Sequence, residues 1–206
     1  MRLAMGQFGV DAFGEAIPAV RVDVYTAAYR VSGSLRTRFA RVADMLNQLS
    51  STHVPLEQAT VSEFADPTAT LAAQQALVAL DEILLLVAPE LEAEPRPEMT
   101  IAKRAVRAQL AIPPFRLTGI LHVPHGSRPM DGLLNVSERY IPMTDASIAS
   151  ATYPELSRTV SALAMRRDRA HVVLVADDER PDELLADVLD ERTAEAWLRT
   201  PTEGPE

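Results

Sequence analysis

The sequence predicts an α+β protein made by tandem duplication. Each copy is expected to be a small, mainly antiparallel β-barrel or roll with one short inserted helix, and a C-terminal helix follows the pair. The first observation behind this is self-similarity. Val20-Arg21 recurs as Val106-Arg107, Arg30 as Arg116, Gly33 as Gly119 and Leu35 as Leu121, all 86 residues apart. Arg41, Asp44, Pro55 and Ala59 recur 87 residues on as Arg128, Asp131, Pro142 and Ala146. Leu46-Asn47 returns as Leu134-Asn135, and Leu86-Val87-Ala88 as Leu174-Val175-Ala176, at 88. Drift from 86 to 88 needs only small insertions of the kind loops accept. The second observation is a period of two, the mark of half-buried strands. The third is a brief switch to a period near 3.6 at the same place in each copy.

Taken in order, residues 1–18 hold Gly6, Gly9, Gly14 and Pro18 without a sustained period and read as a loose leader. Unit one is expected over 19–90. Val20, Val22 and Val24 alternate with Arg21, Asp23 and Tyr25, which predicts a strand; Tyr29, Val31 and Leu35 predict a second, joined by a turn near Ala27 and Ala28. Gly33 lies on the apolar register of that strand, where glycine marks a bulge, a bend or a close backbone approach. Phe39, Val42, Leu46 and Leu49 predict a short helix over 38–50. Val54, Leu56 and Val61 predict a strand, the alanine-rich 68–80 a helix, and 83–87 a buried strand. A charged linker with Pro95 and Pro97 is expected over 91–104.

Unit two, over 105–180, repeats the order. A strand over 106–111 is expected to continue through Phe115, Leu117 and Leu121, past Pro113-Pro114. A helical turn holding Met130, Leu133 and Leu134, a strand over 140–148, a helix over 157–164 and a closing strand over 171–175 follow. An isolated two- or three-stranded sheet is marginal, so each unit is expected to curl on itself. Residues 181–206 form the expected amphipathic C-terminal helix and acidic tail, with Leu184, Leu185, Val188, Leu189 and Trp197 on one face.

Composition narrows the function classes. The chain has 206 residues, 47% of them hydrophobic and 24% charged, as in ordinary globular proteins. It has no cysteine, which removes disulfides, thiolate metal sites and cysteine nucleophiles. No signal-peptide pattern and no apolar run near the ~20 residues of a membrane span occur, so a cytoplasmic protein without a membrane partner is expected. The net charge of −9 is mostly a tail property: residues 177–206 carry 11 acidic groups against three arginines. The duplicated body is close to neutral, so overall charge points to no anionic partner.

The helix bearing Arg41, Asp44, Leu46 and Asn47, followed by Pro55, Leu56 and Ala59, resembles a family of uncharacterised bacterial proteins. In that family an Arg-x-x-Asp-x-Leu-Asn helix precedes a strand reading like Leu-Pro-Leu-Thr-Asp-Ala. Unit two matches the strand at Ile141-Pro142-Met143-Thr144-Asp145-Ala146, with one extra residue between Asp131 and Asn135. A looser similarity is to Sm-like RNA-associated barrels, carried by the series Gly33, Leu35, Asp44, Asn47 and by Gly119, Leu121, Asp131, Asn135. That resemblance implies paired barrels with RNA pockets. The Arg-Gly of that family's closing strand is absent here, where the strand reads Leu86-Val87-Ala88-Pro89.

Arg41, Asp44, Asn47, Arg128, Asp131 and Asn135 are the candidate binding residues, and two readings stay open. They line a polar pocket in each unit, with Asn reading a ligand edge and Arg an anion. Alternatively they cap the short helices and pair locally. His122 and His125 are a weak metal candidate without a third ligand. Asp177-Asp178 reads as a solvated turn into a helix. Lys103, Arg104 and Arg107 lack interleaved aromatics and read as a charged strand edge. There is no nucleophile elbow, phosphate loop or dinucleotide fingerprint, and no catalytic residue, metal or cofactor is assigned. The chain therefore reads as a non-enzymatic binding or assembly protein that organises or regulates a protein partner or itself. The rival reading is nucleic-acid or small-ligand recognition by paired barrel pockets.

Overall fold

The computed structural model describes residues 16–89, 91, 103–125 and 128–175. Unit one comprises β1 (Ala19–Tyr25), β2 (Tyr29–Arg36), α1 (Val42–Gln48), β3 (His53–Glu63), β4 (Thr70–Ala79) and β5 (Leu85–Val87). Unit two comprises β6 (Lys103–Ile112), β7 (Phe115–Pro124), α2 (Pro129–Leu134), β8 (Tyr140–Ala149), β9 (Arg158–Arg166) and β10 (Val172–Val175). Among the described residues one sheet holds all ten strands in the order β10-β6-β7-β8-β9-β5-β1-β2-β3-β4, with every pairing antiparallel.

The expected pair of closed barrels is therefore corrected to a single open sheet. Within each unit the strand order is the same, closing strand first and fourth strand last. Closure fails because the outer edge of β5 does not return to its own β4. It pairs with β9 of the other unit, Leu85 opposite Met165 and Leu86 opposite Ala164. The expected C-terminal helix over 181–206 lies outside the described residues, as do most of the leader and the linker.

Local sequence explains most elements. On β1 the even-numbered valines 20, 22 and 24 are buried while Ala19 and Arg21 are exposed. The Thr26 hydroxyl accepts from the amides of Ala28 and Tyr29, closing the turn into β2. Two alanine-rich segments expected to be helical are strands β4 and β9. Cross-strand pairing overrides alanine's helix preference there: β4 runs along β3 from Ser62–Thr70 to His53–Ala79, and β9 runs along β8 in the same way. Residues 106–121 are not one strand either. They make a hairpin, β6 to β7, that turns at the cis Pro113-Pro114 bond.

Both units carry the same bulge. Register shifts between Ser32 and Ser34 and between Thr118 and Ile120, opposite Gln58 (φ 49°) and Asp145 (φ 48°). Both bulge glycines stand in crowded places, Gly119 the more so. A Cβ on Gly33 would stand 3.1 Å from the Glu57 carbonyl oxygen, and one on Gly119 would stand 2.9 Å from that of Thr144.

The structural registers also revise two letter matches. Val24 pairs with Leu86 and its counterpart Leu110 with Val173, so the closing strands correspond at 87, not 88. Arg41 and Arg128 both stand at helix N-caps, with Met45 and Gly132 donating back to them. The helices too correspond at 87, which places Leu134 rather than Asn135 at the position of Asn47.

Candidate functional site

The two units meet at a junction that combines interlocked apolar cores with a polar clasp. Tyr140 and Ala164 of unit two belong to the apolar cluster of unit one, with Leu46, Val54, Leu80 and Leu86. In exchange, Tyr25, Phe64, Leu84, Leu85 and Val87 of unit one enter the cluster of unit two. The ring of Phe115 meets those of Tyr25 and Phe64 edge to face, at centroid distances of 5.6 and 5.8 Å.

The clasp begins with Asn47. Its Nδ2 donates to the Tyr140 carbonyl at 2.7 Å, and its Oδ1 accepts from the Tyr140 amide at 2.8 Å. The Tyr140 hydroxyl, buried, donates to the Leu80 carbonyl at 2.5 Å. Burial pushes this phenol up to about 12, against the opposing pull of Arg166 and Arg139. Arg166, 7% exposed at its side chain, makes a two-pronged pair with Asp168 at 2.8 and 3.1 Å and also donates to the Asp81 carbonyl. The Asp168 hydrogen bond holds Arg166 firmly protonated, and the same bond lowers the Asp168 carboxyl. Arg139 adds a 2.7 Å pair with the Asp81 carboxylate.

A second polar cluster crosses the same seam. Asp23 accepts from Ser32 Oγ at 2.5 Å, from Arg30 Nη2 at 3.0 Å and from Arg158 Nη1, on the other unit, at 2.8 Å. Burial raises the Asp23 carboxyl. The bonds from Ser32 and Arg158, with the charges of Arg30 and Arg158, more than reverse this and leave it below the ordinary value. Arg158 also lies over the Tyr25 ring at 5.4 Å.

The six residues singled out from sequence do not converge. Arg41 and Asp44 are exposed on α1, while Arg128, Asp131 and Asn135 are exposed at α2. Neither Arg41 nor Arg128 makes a side-chain cap bond. Only Asn47 has a defined task, and it binds backbone of the other unit. Neither of two concavities on the described surface is lined by any of the six. One, of about 310 Å³, lies over the Gly119 bulge beside Arg107, Gln109 and Asp145; the other, of about 300 Å³, follows the seam at Val87 and Arg158. His122 faces Thr144, its Nε2 3.0 Å from the hydroxyl, and burial with Lys103 and Arg41 nearby lowers its pKa. Among the described residues no three of His, Asp and Glu are grouped so as to hold a metal, and no helix is long and apolar enough to cross a membrane.

Sequence reasoning missed Asp23, Tyr140, Arg158 and Arg166. Their signal was present as difference rather than likeness, since the repeat places Gln109, His53, Leu71 and Ala79 at these four positions in the other copy. No family model matches the chain, and neither a curated protein nor a solved structure matches it.

Proposed function

We propose that this protein works by assembly through its strand edges, as a non-enzymatic organiser of protein partners. The observation that carries this reading is β4. Its ten residues, Thr70-Leu-Ala-Ala-Gln-Gln-Ala-Leu-Val-Ala79, contain no charge, proline or glycine, and among the described residues β4 ends the sheet. Leu71 and Leu77 on it are 74% and 70% exposed. Edge strands ordinarily guard their unpaired amides and carbonyls with charges, prolines or bulges. A bare apolar edge of this length is a template for strand addition. The motif resemblance to uncharacterised bacterial proteins adds no activity to this reading.

Recognition of nucleic acid draws less support. Arg41 and Arg128 are exposed, but each shares its helix with an exposed carboxylate, Asp44 or Asp131.

Size-exclusion chromatography with light scattering tests the proposal. The wild-type chain is expected to exceed its 22.5 kDa single-chain mass as concentration rises, and Leu77→Lys to return it to one chain. A single-chain mass for wild type at every concentration contradicts assembly of the chain with itself. Failure to co-purify with any partner through β4 then removes the reading altogether.

A further inference from the structure

We infer that the partner of β4 is β10 of a second copy, in a head-to-tail contact that repeats the junction already present inside the chain. This rests on the assembly reading above and names its partner. Inside the chain, the fourth strand of unit two (β9) pairs with the closing strand of unit one (β5). Among the described residues, the two strands left at the ends of the sheet are the fourth strand of unit one and the closing strand of unit two. Each carries the edge that its counterpart uses at the internal junction. An edge of β4 offered to β10 of another molecule therefore meets the kind of surface that β9 meets in β5.

The exposed apolar side chains fall where this contact needs them. Ala43 and Val87 are 3% and 1% exposed at the junction, whereas their counterparts Met130 and Leu174 are 45% and 43% exposed. Ala164 is fully buried against unit one, whereas its counterpart Leu77 is 70% exposed. Leu134, 71% exposed, takes the place of Asn47. Leu71, 74% exposed, takes the place of Arg158, since Ile148–Arg158 and Val61–Leu71 are matching pairs. These five residues are most of the large apolar side chains left exposed among the described residues. Each sits on the counterpart of the buried internal seam.

The polar clasp does not recur. Ala79 replaces Arg166, and His53 replaces Tyr140. The outer contact is thus aliphatic where the inner one carries the polar clasp. A contact of this heterologous type either closes into a ring or runs on as a filament, according to the rotation between successive copies.

The register follows from the internal pair. Leu85 faces Met165, and Val172 and Val78 occupy the same two places on the outer edges. The neighbouring Arg166 amide bonds to the Leu84 carbonyl, which makes Leu85–Met165 the non-hydrogen-bonded kind of pair, with Cα atoms about 4.5 Å apart. That spacing admits a disulfide. The chain has no cysteine of its own, so an engineered link has a single origin.

The test mixes two full-length variants, Val78→Cys and Val172→Cys, under mild oxidation, after each is shown to unfold at the wild-type denaturant midpoint. Leu77→Cys with Val173→Cys serves if either variant fails to fold. The expected result is a covalent dimer in the mixture that is absent from either variant alone. A dimer formed by Val78→Cys alone overturns the inference and leaves assembly through β4 standing, with two copies of β4 paired to each other. No link in a sample whose mass exceeds one chain likewise overturns the inference and not the assembly reading. No link at a single-chain mass overturns this contact and self-assembly together.

Discussion

The side-chain amide of Asn47 satisfies both the carbonyl and the amide of Tyr140, at 2.7 and 2.8 Å, across a sequence separation of 93 residues. An asparagine amide sets an N–H donor beside a carbonyl acceptor, which matches the paired N–H and C=O that one strand residue presents on the same side. Asn47→Ala leaves both Tyr140 groups unsatisfied where water reaches them poorly, at a cost of roughly 1–3 kcal/mol. Urea unfolding is expected to show the midpoint falling accordingly, while Asn135→Ala, in its exposed place, leaves it within error. Equal midpoints for Asn47→Ala and wild type would contradict the junction's role in stability.

Tyr140 gives an alkaline signature. Its phenol ionises at about 12 in the folded protein, above the unfolded value near 10. As pH rises, the unfolded chain loses this proton first, so the stability is fully present below about pH 10 and declines between about pH 10 and 12. Tyr25, also raised by burial, contributes in the same direction. Tyr140→Phe is expected to cost about 1 kcal/mol at neutral pH and to flatten the decline. An unchanged alkaline slope in the variant would count against the assignment.

Asp23 gives the acid counterpart. Its carboxyl titrates lower when folded than when unfolded, so as pH falls the unfolded chain takes up the proton first. The stabilisation is present above the ordinary aspartate value and is lost as pH drops through the folded one. Asp23→Asn is expected to shallow the acid limb of a stability-against-pH curve measured by urea unfolding. Arg158→Met should do so less, because Ser32 and Arg30 remain.

The bulge glycines rank predictably. At Gly119 a methyl group would sit 2.9 Å from both the Thr144 carbonyl oxygen and Met143 Cγ, whereas at Gly33 its nearest neighbours lie at 3.1 Å. Gly119→Ala is expected to cost about 1–3 kcal/mol, with Gly33→Ala less damaging. The reverse order in thermal or urea unfolding would contradict the close approach at β7 and β8.

The strands with alternating burial, such as β1 and β2, were legible because one face of each is wet. The Gly33 bulge was legible because a glycine on the apolar register of a strand marks a bulge or a close backbone approach, here to the Glu57 carbonyl. β4 and β9 were not: alanine is accepted on a wet face and on a buried one alike, so alanine-rich strands leave no period of two to read. Barrel closure could not be read either. Whether β5 returns to β4 or passes to β9 is decided by the partner across the edge, and no residue of β5 encodes that choice by type. Of the six candidate residues Asn47 alone lies in the junction clasp, for a related reason. Likeness between the copies picked out Arg41, Asp44 and their counterparts, whereas the junction lies where the copies differ, at Asp23 against Gln109 and Tyr140 against His53.

The most direct measurement of the central claim is amide hydrogen exchange of the wild-type protein at increasing concentration. If β4 and β10 join successive copies, the outward-facing amides over 70–79 and 172–175, those not bonded to β3 and β6, become protected as concentration rises, while β1 and β7, interior to the sheet at any concentration, do not change. Exchange over 70–79 that stays fast and independent of concentration would contradict it.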